Sequence, residues 1–84
     1  MPFPVKYSPE YDRVRARLSL AERMLVGEAE DKIAANPDTK PDGRFEDDGY
    51  AYSSEAEDFL IEYRLLSSGW ILFERLIDLR NPEL

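Results

Sequence analysis

Three arginines, Arg64, Arg75 and Arg80, lie near the C-terminal end of this chain, spaced so that a pair of strands would carry them. A guanidinium on the open face of a β-sheet can hold a phosphate with two parallel donors. Arginines so placed can also stabilise a pentacoordinate phosphate while a carboxylate or lysine moves the proton. The usual groups for such a proton transfer are missing. The sequence has no histidine and no cysteine, which removes the common general base near neutral pH and any thiolate chemistry. Tyr50, Tyr52 and Tyr63 remain, but a tyrosine in a strand is more often a packing group. The neighbouring acids Asp47 and Asp48, or Glu55 and Glu57, have no apolar shell to raise a pKa. The acidic stretch also lacks the ordered spacing of a calcium loop, and no glycine-rich phosphate loop is present. No metal site and no cofactor are expected.

Charge weighs against a nucleic-acid partner. Eleven basic and eighteen acidic residues leave a net charge of -7 over 84 residues, whereas binding through phosphates draws its affinity from an excess of cations. The charge is unevenly placed. Asp42, Glu46, Asp47, Asp48, Glu55, Glu57 and Asp58 face only Arg44 in their stretch, while Lys6, Arg13, Arg15, Arg17 and Arg23 make the N-terminal part more basic. A local basic surface therefore remains open inside an acidic chain. With no long apolar run, and with Met1-Pro2-Phe3-Pro4 in place of a signal peptide, the protein is read as soluble and cytoplasmic, with no membrane partner.

The element that must position the arginines is a C-terminal hairpin. Phe59–Leu66 and Trp70–Leu79 are β-rich runs joined by Ser67-Ser68-Gly69, the pattern of a type I turn closed by a G1 bulge. Counting back from that turn pairs Leu65 with Ile71, Tyr63 with Phe73 and Phe59 with Ile77 on an apolar face, with Arg75 opposite Ile61 as its odd member. The other face pairs Leu66 with Trp70, Arg64 with Leu72, Glu62 with Glu74, and Leu60 with Leu76. Leu60, Leu66, Trp70, Leu72 and Leu76 then form an exposed apolar strip, a surface for a protein partner or a second copy of the chain.

Upstream, Val5 and Tyr7 alternate with Pro4 and Lys6 as a short strand. Ser8-Pro9 reads as an N-cap with proline at the first helical position, and Ser19-Leu20-Ala21-Glu22 as a capping box. Either two helices joined at Ser19 or one bent helix satisfies this pattern, which stops at Asn36-Pro37. Tyr11, Val14 and Leu18 make one apolar stripe; Ala21, Leu25, Ala29 and Ile33 make the next, with Met24 beside them. Ile33, Ala29 and Leu25 are expected to cover Tyr63, Ile71, Phe73 and Ile77. Residues 38–49 read as loop, followed by a short strand at Tyr50–Tyr52 and a turn at 54–57. The result is one α+β domain spanning 1–84, in which an N-terminal strand and a helical pair precede a mostly antiparallel sheet of about four strands.

That order resembles the RelE/ParE family of toxins from bacterial toxin–antitoxin pairs. The pieces that carry the resemblance are Val5-Lys6-Tyr7-Ser8-Pro9-Glu10, the helical segment ending Ala35-Asn36-Pro37, and Phe59-Leu60-Ile61-Glu62-Tyr63-Arg64-Leu65 with the strand after it. The resemblance implies a toxin that acts on a macromolecular target and is neutralised by an antitoxin. It also implies that Arg64, matching the arginine after tyrosine on the third strand, contacts phosphate or a transition state, with Arg75 and Arg80 near further basic positions. The competing readings are a surface Arg64 paired with Glu62 or Glu74, and an Arg75 that snorkels at the sheet edge or joins an ion pair. Family members cleave messenger RNA on the ribosome or poison gyrase. The cleaving branch usually carries a histidine or tyrosine at the end, where this chain has Asn81-Pro82-Glu83-Leu84. A binding role is thus favoured over ribosome-dependent cleavage, and a non-enzymatic adaptor or homodimer is the competing reading.

Overall fold

Two serines decide where the helices begin. In a computed structural model that describes residues 2–37, 44–46 and 49–80 (44–46 by backbone alone), Ser8 caps α1 (Pro9–Ala16), its Oγ accepting from the Tyr11 amide at 3.1 Å. Ser19 caps α2 (Leu20–Ala35) with the complete reciprocal box: its Oγ accepts from the Glu22 amide and the Glu22 carboxylate accepts from the Ser19 amide. The chain thus forms two helices, not one bent helix.

The strands are β1 (Val5–Tyr7), β2 (Arg44–Glu46), β3 (Gly49–Ala56), β4 (Phe59–Leu66) and β5 (Ile71–Asp78), in the sheet order β1-β5-β4-β3-β2. β1 runs parallel to β5 and every other pair is antiparallel. The sheet therefore has one strand more than expected, because Arg44–Glu46 adds to β3 inside a stretch read as loop. β3 is also longer than expected. It runs through 54–56, and the turn is the tight Glu57-Asp58 pair between Ala56 and Phe59. Glu57 takes a φ of 52°, a left-handed conformation with no glycine to announce it in the sequence. At the other end of β3, a side chain on Gly49 would collide with the Leu65 carbonyl, so the close approach of β3 to β4 requires glycine there.

The Ser67-Ser68-Gly69 turn forms as read. Gly69 sits at φ 89°, its amide donates to the Leu66 carbonyl at 2.9 Å, and the Leu66 amide donates to the Trp70 carbonyl at 2.9 Å. The register holds from Leu65–Ile71 to Tyr63–Phe73 and then shifts: Glu62 pairs with Arg75, leaving Glu74 as the extra residue of a β-bulge. Beyond it Ile61 pairs with Leu76, Leu60 with Ile77 and Phe59 with Asp78. Because strand faces alternate at period two, one inserted residue exchanges the faces of everything that follows. Leu76 is buried in the core, where Ile77 was expected, and Ile77 is half-buried on the opposite face. Arg75 leaves the apolar face, and the expected contact of facing glutamates is replaced by Glu62 beside Arg75.

Both helices lie on one face of the sheet. Tyr11, Val26 and Ile33 bury against Phe59, Ile61, Tyr63, Ile71, Phe73 and Leu76, with Leu25 and Ala29 partly buried around them. Phe73 is central: its ring centroid lies 5.4 Å from both Tyr7 and Tyr11 and 6.3 Å from Tyr63. α2 is turned relative to the expected stripe, since Val26, Glu30, Ile33 and Ala34 are buried, while Ala21 and Met24 are exposed. The reason is polar. Glu30, only 4% exposed, accepts from the Tyr11 hydroxyl at 2.6 Å and from Arg15 Nε at 3.2 Å and Nη2 at 3.1 Å. This satisfied buried carboxylate ties α1 to α2, and Arg15 also stacks its guanidinium over Tyr7 at 5.4 Å.

Burial, reinforced by the Glu30 hydrogen bond and charge, pushes the Tyr11 phenol far above its usual range. A group held protonated in the folded state contributes stability fully present below the unfolded pKa, about 10 for tyrosine. That contribution is lost as the pH climbs above 10 towards the folded-state value. Urea unfolding at pH 7 and pH 11 should therefore show a larger loss for the native protein than for Tyr11→Phe; equal losses would mean that Tyr11 is not the group concerned. Ser8 donates its hydroxyl to the bulge carbonyl of Glu74 at 2.6 Å while capping α1. Ser8→Ala should cost about 1–3 kcal/mol, a helix cap together with a stranded carbonyl, and Ser8→Gly should not restore it.

Candidate functional site

The face of the sheet turned away from the helices is where the bulge has its largest effect. Lys6, Leu72, Arg64 and Ala51 lie in one row across β1, β5, β4 and β3. Arg75, Glu62 and Ser53 form the next, and Ile77, Leu60 and Glu55 the one after. Since the extra residue occupies the same side as its neighbour, Glu74 and Arg75 both face Arg64 and Glu62. Arg64 Nη2 pairs with Glu74 Oε1 at 2.7 Å, and Arg75 Nη1 approaches Glu62 Oε1 at 3.4 Å. The four charges alternate in sign and compensate one another locally. Arg64 is the shielded member, its side chain 13% exposed, whereas the Arg75 side chain is 62% exposed.

Arg80 belongs elsewhere. Its Nε and Nη2 hold Asp78 at 3.0 Å each, its Nη2 also pairs with Glu22 of α2, and its guanidinium lies over the Phe59 ring at 5.3 Å. Those bonds to Asp78 and Glu22 raise the Arg80 pKa further above its usual value. In turn, the Ser19 amide and then Arg80 hold the Glu22 carboxyl below the usual carboxylate range. Arg80 lies two residues beyond the end of β5, whose last residue, Asp78, pairs with Phe59 five positions along β4 from Arg64, already roughly 17 Å away at 3.4 Å per residue. The structure brings Arg64 and Arg75 together and leaves Arg80 apart.

The tyrosines are on the wrong side for these arginines. Tyr50, Tyr52 and Tyr63 pair in rows with Leu65, Tyr63 and Phe73, on the face that receives the helices. The ring of Tyr52 lies 5.7 Å from that of Tyr63, and Tyr63 is buried. For Arg44 the backbone pairs with Ala51 at the β2–β3 edge. The expected tail positions 81–84 and the acids Asp42, Asp47 and Asp48 lie outside the described residues. Among the described residues no cluster of three or more acidic, histidine or cysteine side chains could hold a metal.

Of the apolar strip, Leu60, Leu66 and Leu72 are half-buried and Trp70 is 36% exposed at the hairpin tip, with Lys6 Nζ 4.8 Å above its ring. Leu76 is not part of the strip. The bulge sends it into the core, and Ile77 stands beside Leu60 instead. The open face is therefore a charge-balanced patch bordered by aliphatic groups and one aromatic ring. What sequence reasoning missed is the Glu30–Tyr11–Arg15 cluster. An acid set among Val26, Ile33 and Ala34 on a helix that carries its other acids outward was the available signal.

No protein-family model and no curated protein matches this chain. Among solved structures it is similar to a chain in the crystal structure of the archaeal RelE–RelB complex from Pyrococcus horikoshii OT3. The likeness has a TM-score of 0.76 and 16% identity, covering 94% of this chain and 97% of that one. The fold is RelE-like. The RelE-like order of strand, two helices and antiparallel strands is thus present along nearly the whole chain, and within it the open face carries Arg64 paired to Glu74. No helix among the described residues is long and apolar enough to cross a membrane.

The Arg64–Glu74 pair can be weighed directly. Arg64→Met should destabilise by about 1–2 kcal/mol by leaving a half-shielded carboxylate opposite an aliphatic chain. Adding Glu74→Gln should recover much of that, with a coupling energy near ~1 kcal/mol in a urea-denaturation cycle. Additive effects would show that the two side chains do not act as a pair.

Proposed function

We propose that this protein is the toxin-like component of a type II toxin–antitoxin pair, a single RelE-like unit over residues 1–84 that acts by binding a macromolecular target and is neutralised by an antitoxin. The observation that carries the reading is the RelE-like fold over 94% of the chain, matched to a structure determined as a RelE–RelB complex. The open face supports binding over cleavage. Arg64, Arg75 and Arg80 are each engaged by carboxylates, and a phosphate would have to displace Glu74 to reach Arg64. Tyr50, Tyr52 and Tyr63 lie on the opposite face, so none stands ready to move a proton beside Arg64 or Arg75. The net charge of -7 further opposes a polyanionic target.

Controlled expression in a bacterial host that lacks a cognate partner should arrest growth while soluble protein accumulates. Co-expression of a small protein encoded beside the gene should relieve the arrest. Normal growth with soluble protein present would overturn the toxin reading in favour of an adaptor or homodimer. Codon-periodic cuts in messenger RNA during arrest would overturn the binding mechanism alone.

A further inference from the structure

The edge of β5 is covered for only part of its length. Up to Phe73 it is paired by β1: the Ile71 amide donates to the Pro4 carbonyl at 2.9 Å, and the Ser8 amide to the Phe73 carbonyl at 3.0 Å. Ser8 Oγ then takes the Glu74 carbonyl, and the chain departs into α1. Past the bulge the alternation of an antiparallel ladder fixes which groups face outward. The Leu79 amide donates to the Asp58 carbonyl on the β4 side at 2.8 Å. Positions 77 and 75 therefore also face β4, and the amide and carbonyl of Leu76 point away from it. Among the described residues nothing pairs with them.

They point along a groove of about 290 Å³ between β5 and α1, lined by Glu10, Arg13, Val14 and Arg17 together with Arg75, Leu76 and Ile77. Arg13 on α1 and Arg17, which caps its C-terminal end, are exposed one helical turn apart, and their side chains make no ion pair or hydrogen bond among the described residues. Arg75 also lines the groove but is paired with Glu62, so Arg13 and Arg17 supply its uncompensated charge, two guanidiniums against the single carboxylate of Glu10, in a chain whose net charge is -7.

We infer that this groove receives an extended, acidic segment of a partner protein, which adds a strand to the free edge of β5. The backbone pair of Leu76 calls for an amide partner at strand spacing, which a peptide supplies and a phosphate chain does not. The half-buried Val14 on the helix side and Ile77 on the open-face side provide apolar contacts for side chains on the two sides of that strand, and the guanidiniums of Arg13 and Arg17 select carboxylates beside Val14. This edge borders the open face through Arg75 and Ile77, while Arg64 and Glu74 lie outside its lining. The inference does not rest on the toxin reading: growth arrest without peptide binding, or binding without arrest, tells the two apart.

The test uses the full chain and a blocked heptapeptide alternating glutamate with threonine. Its lysine counterpart and a version N-methylated at alternate residues serve as controls. Amide spectra should shift at Leu76 and Ile77 and along Arg13–Arg17, and hydrogen exchange at the Leu76 amide should slow at least tenfold at saturation. Arg13→Gln/Arg17→Gln should weaken binding about tenfold, and both control peptides should fail to bind. Equal binding of the lysine peptide, an unaffected double variant, or shifts confined to the Arg64–Leu72 row would overturn the proposal. So would an oligothymidylate that perturbs these amides more strongly than the peptide. A dilution-dependent shift at Leu76 without peptide would assign the edge to a second copy of the chain and likewise overturn it.

Discussion

One inserted residue governs the arrangement of this molecule. Glu74 interrupts the ladder between β4 and β5, and its carbonyl, turned out of the ladder, is taken by the hydroxyl of Ser8. That same hydroxyl caps the first helix. The place where the terminal hairpin breaks step is therefore the place where the N-terminal strand ends and the helical layer starts. An orphaned carbonyl in a sheet interior is costly, so the bulge and the helix start stabilise each other. The bulge also decides the chemistry of both faces. It moves Leu76 inward to meet Ile61, and it gathers Glu74, Arg75, Glu62 and Arg64 into a compensated group on the outside.

The helical layer shows a parallel solution. α1 is short and α2 carries few large apolar residues, so hydrophobic contact alone sets their mutual rotation loosely. The buried carboxylate of Glu30, held by Tyr11 and by the fork of Arg15, supplies a directional link. Bonds of this kind tolerate little rotation. They turn α2 until Val26 and Ile33 face the sheet and Met24 faces water.

How much of this could be read from the sequence follows from the range of each interaction. The caps at Ser8 and Ser19, the stop at Asn36-Pro37 and the turn at Gly69 are set within a few residues, and each forms as read. Pairings next to that turn, Leu65 with Ile71 and Tyr63 with Phe73, hold for the same reason. The bulge does not announce itself, because its stabilising partner Ser8 is sixty-six positions away, and the faces assigned to Arg75, Leu76 and Ile77 beyond it were reversed, while those of Phe59–Glu62 on β4 hold. The turn before β4 was expected at 54–57 and falls at Glu57-Asp58, because glutamate there occupies a conformation usually given to glycine; β2 was missed because three residues carry too little pattern. Of the candidate site, Arg64 and its place opposite Leu72 were legible. Pairing of Arg64 with Glu62 or Glu74 was legible too, and Glu74 is the partner found; the partners of Arg75 and Arg80 were not, since they depend on the shifted register and on Glu22 of a distant helix.

The strand order has a consequence for synthesis. β5 lies between β1 and β4, yet it is the last strand of the described chain to be made. Until it leaves the ribosome, β1 has no neighbour to pair with, and Tyr7, Tyr11 and Tyr63 lack the Phe73 ring around which they pack. Local contacts within α1, α2 and the β3–β4 hairpin can form earlier, but the pairing of the first strand with the last closes a loop of nearly the whole chain. At about 5–20 residues per second, the nascent protein thus spends several seconds with its apolar surfaces accessible and its interior incomplete. The architecture makes the newly synthesised chain, before its final strand arrives, a different object for other molecules to meet than the finished fold.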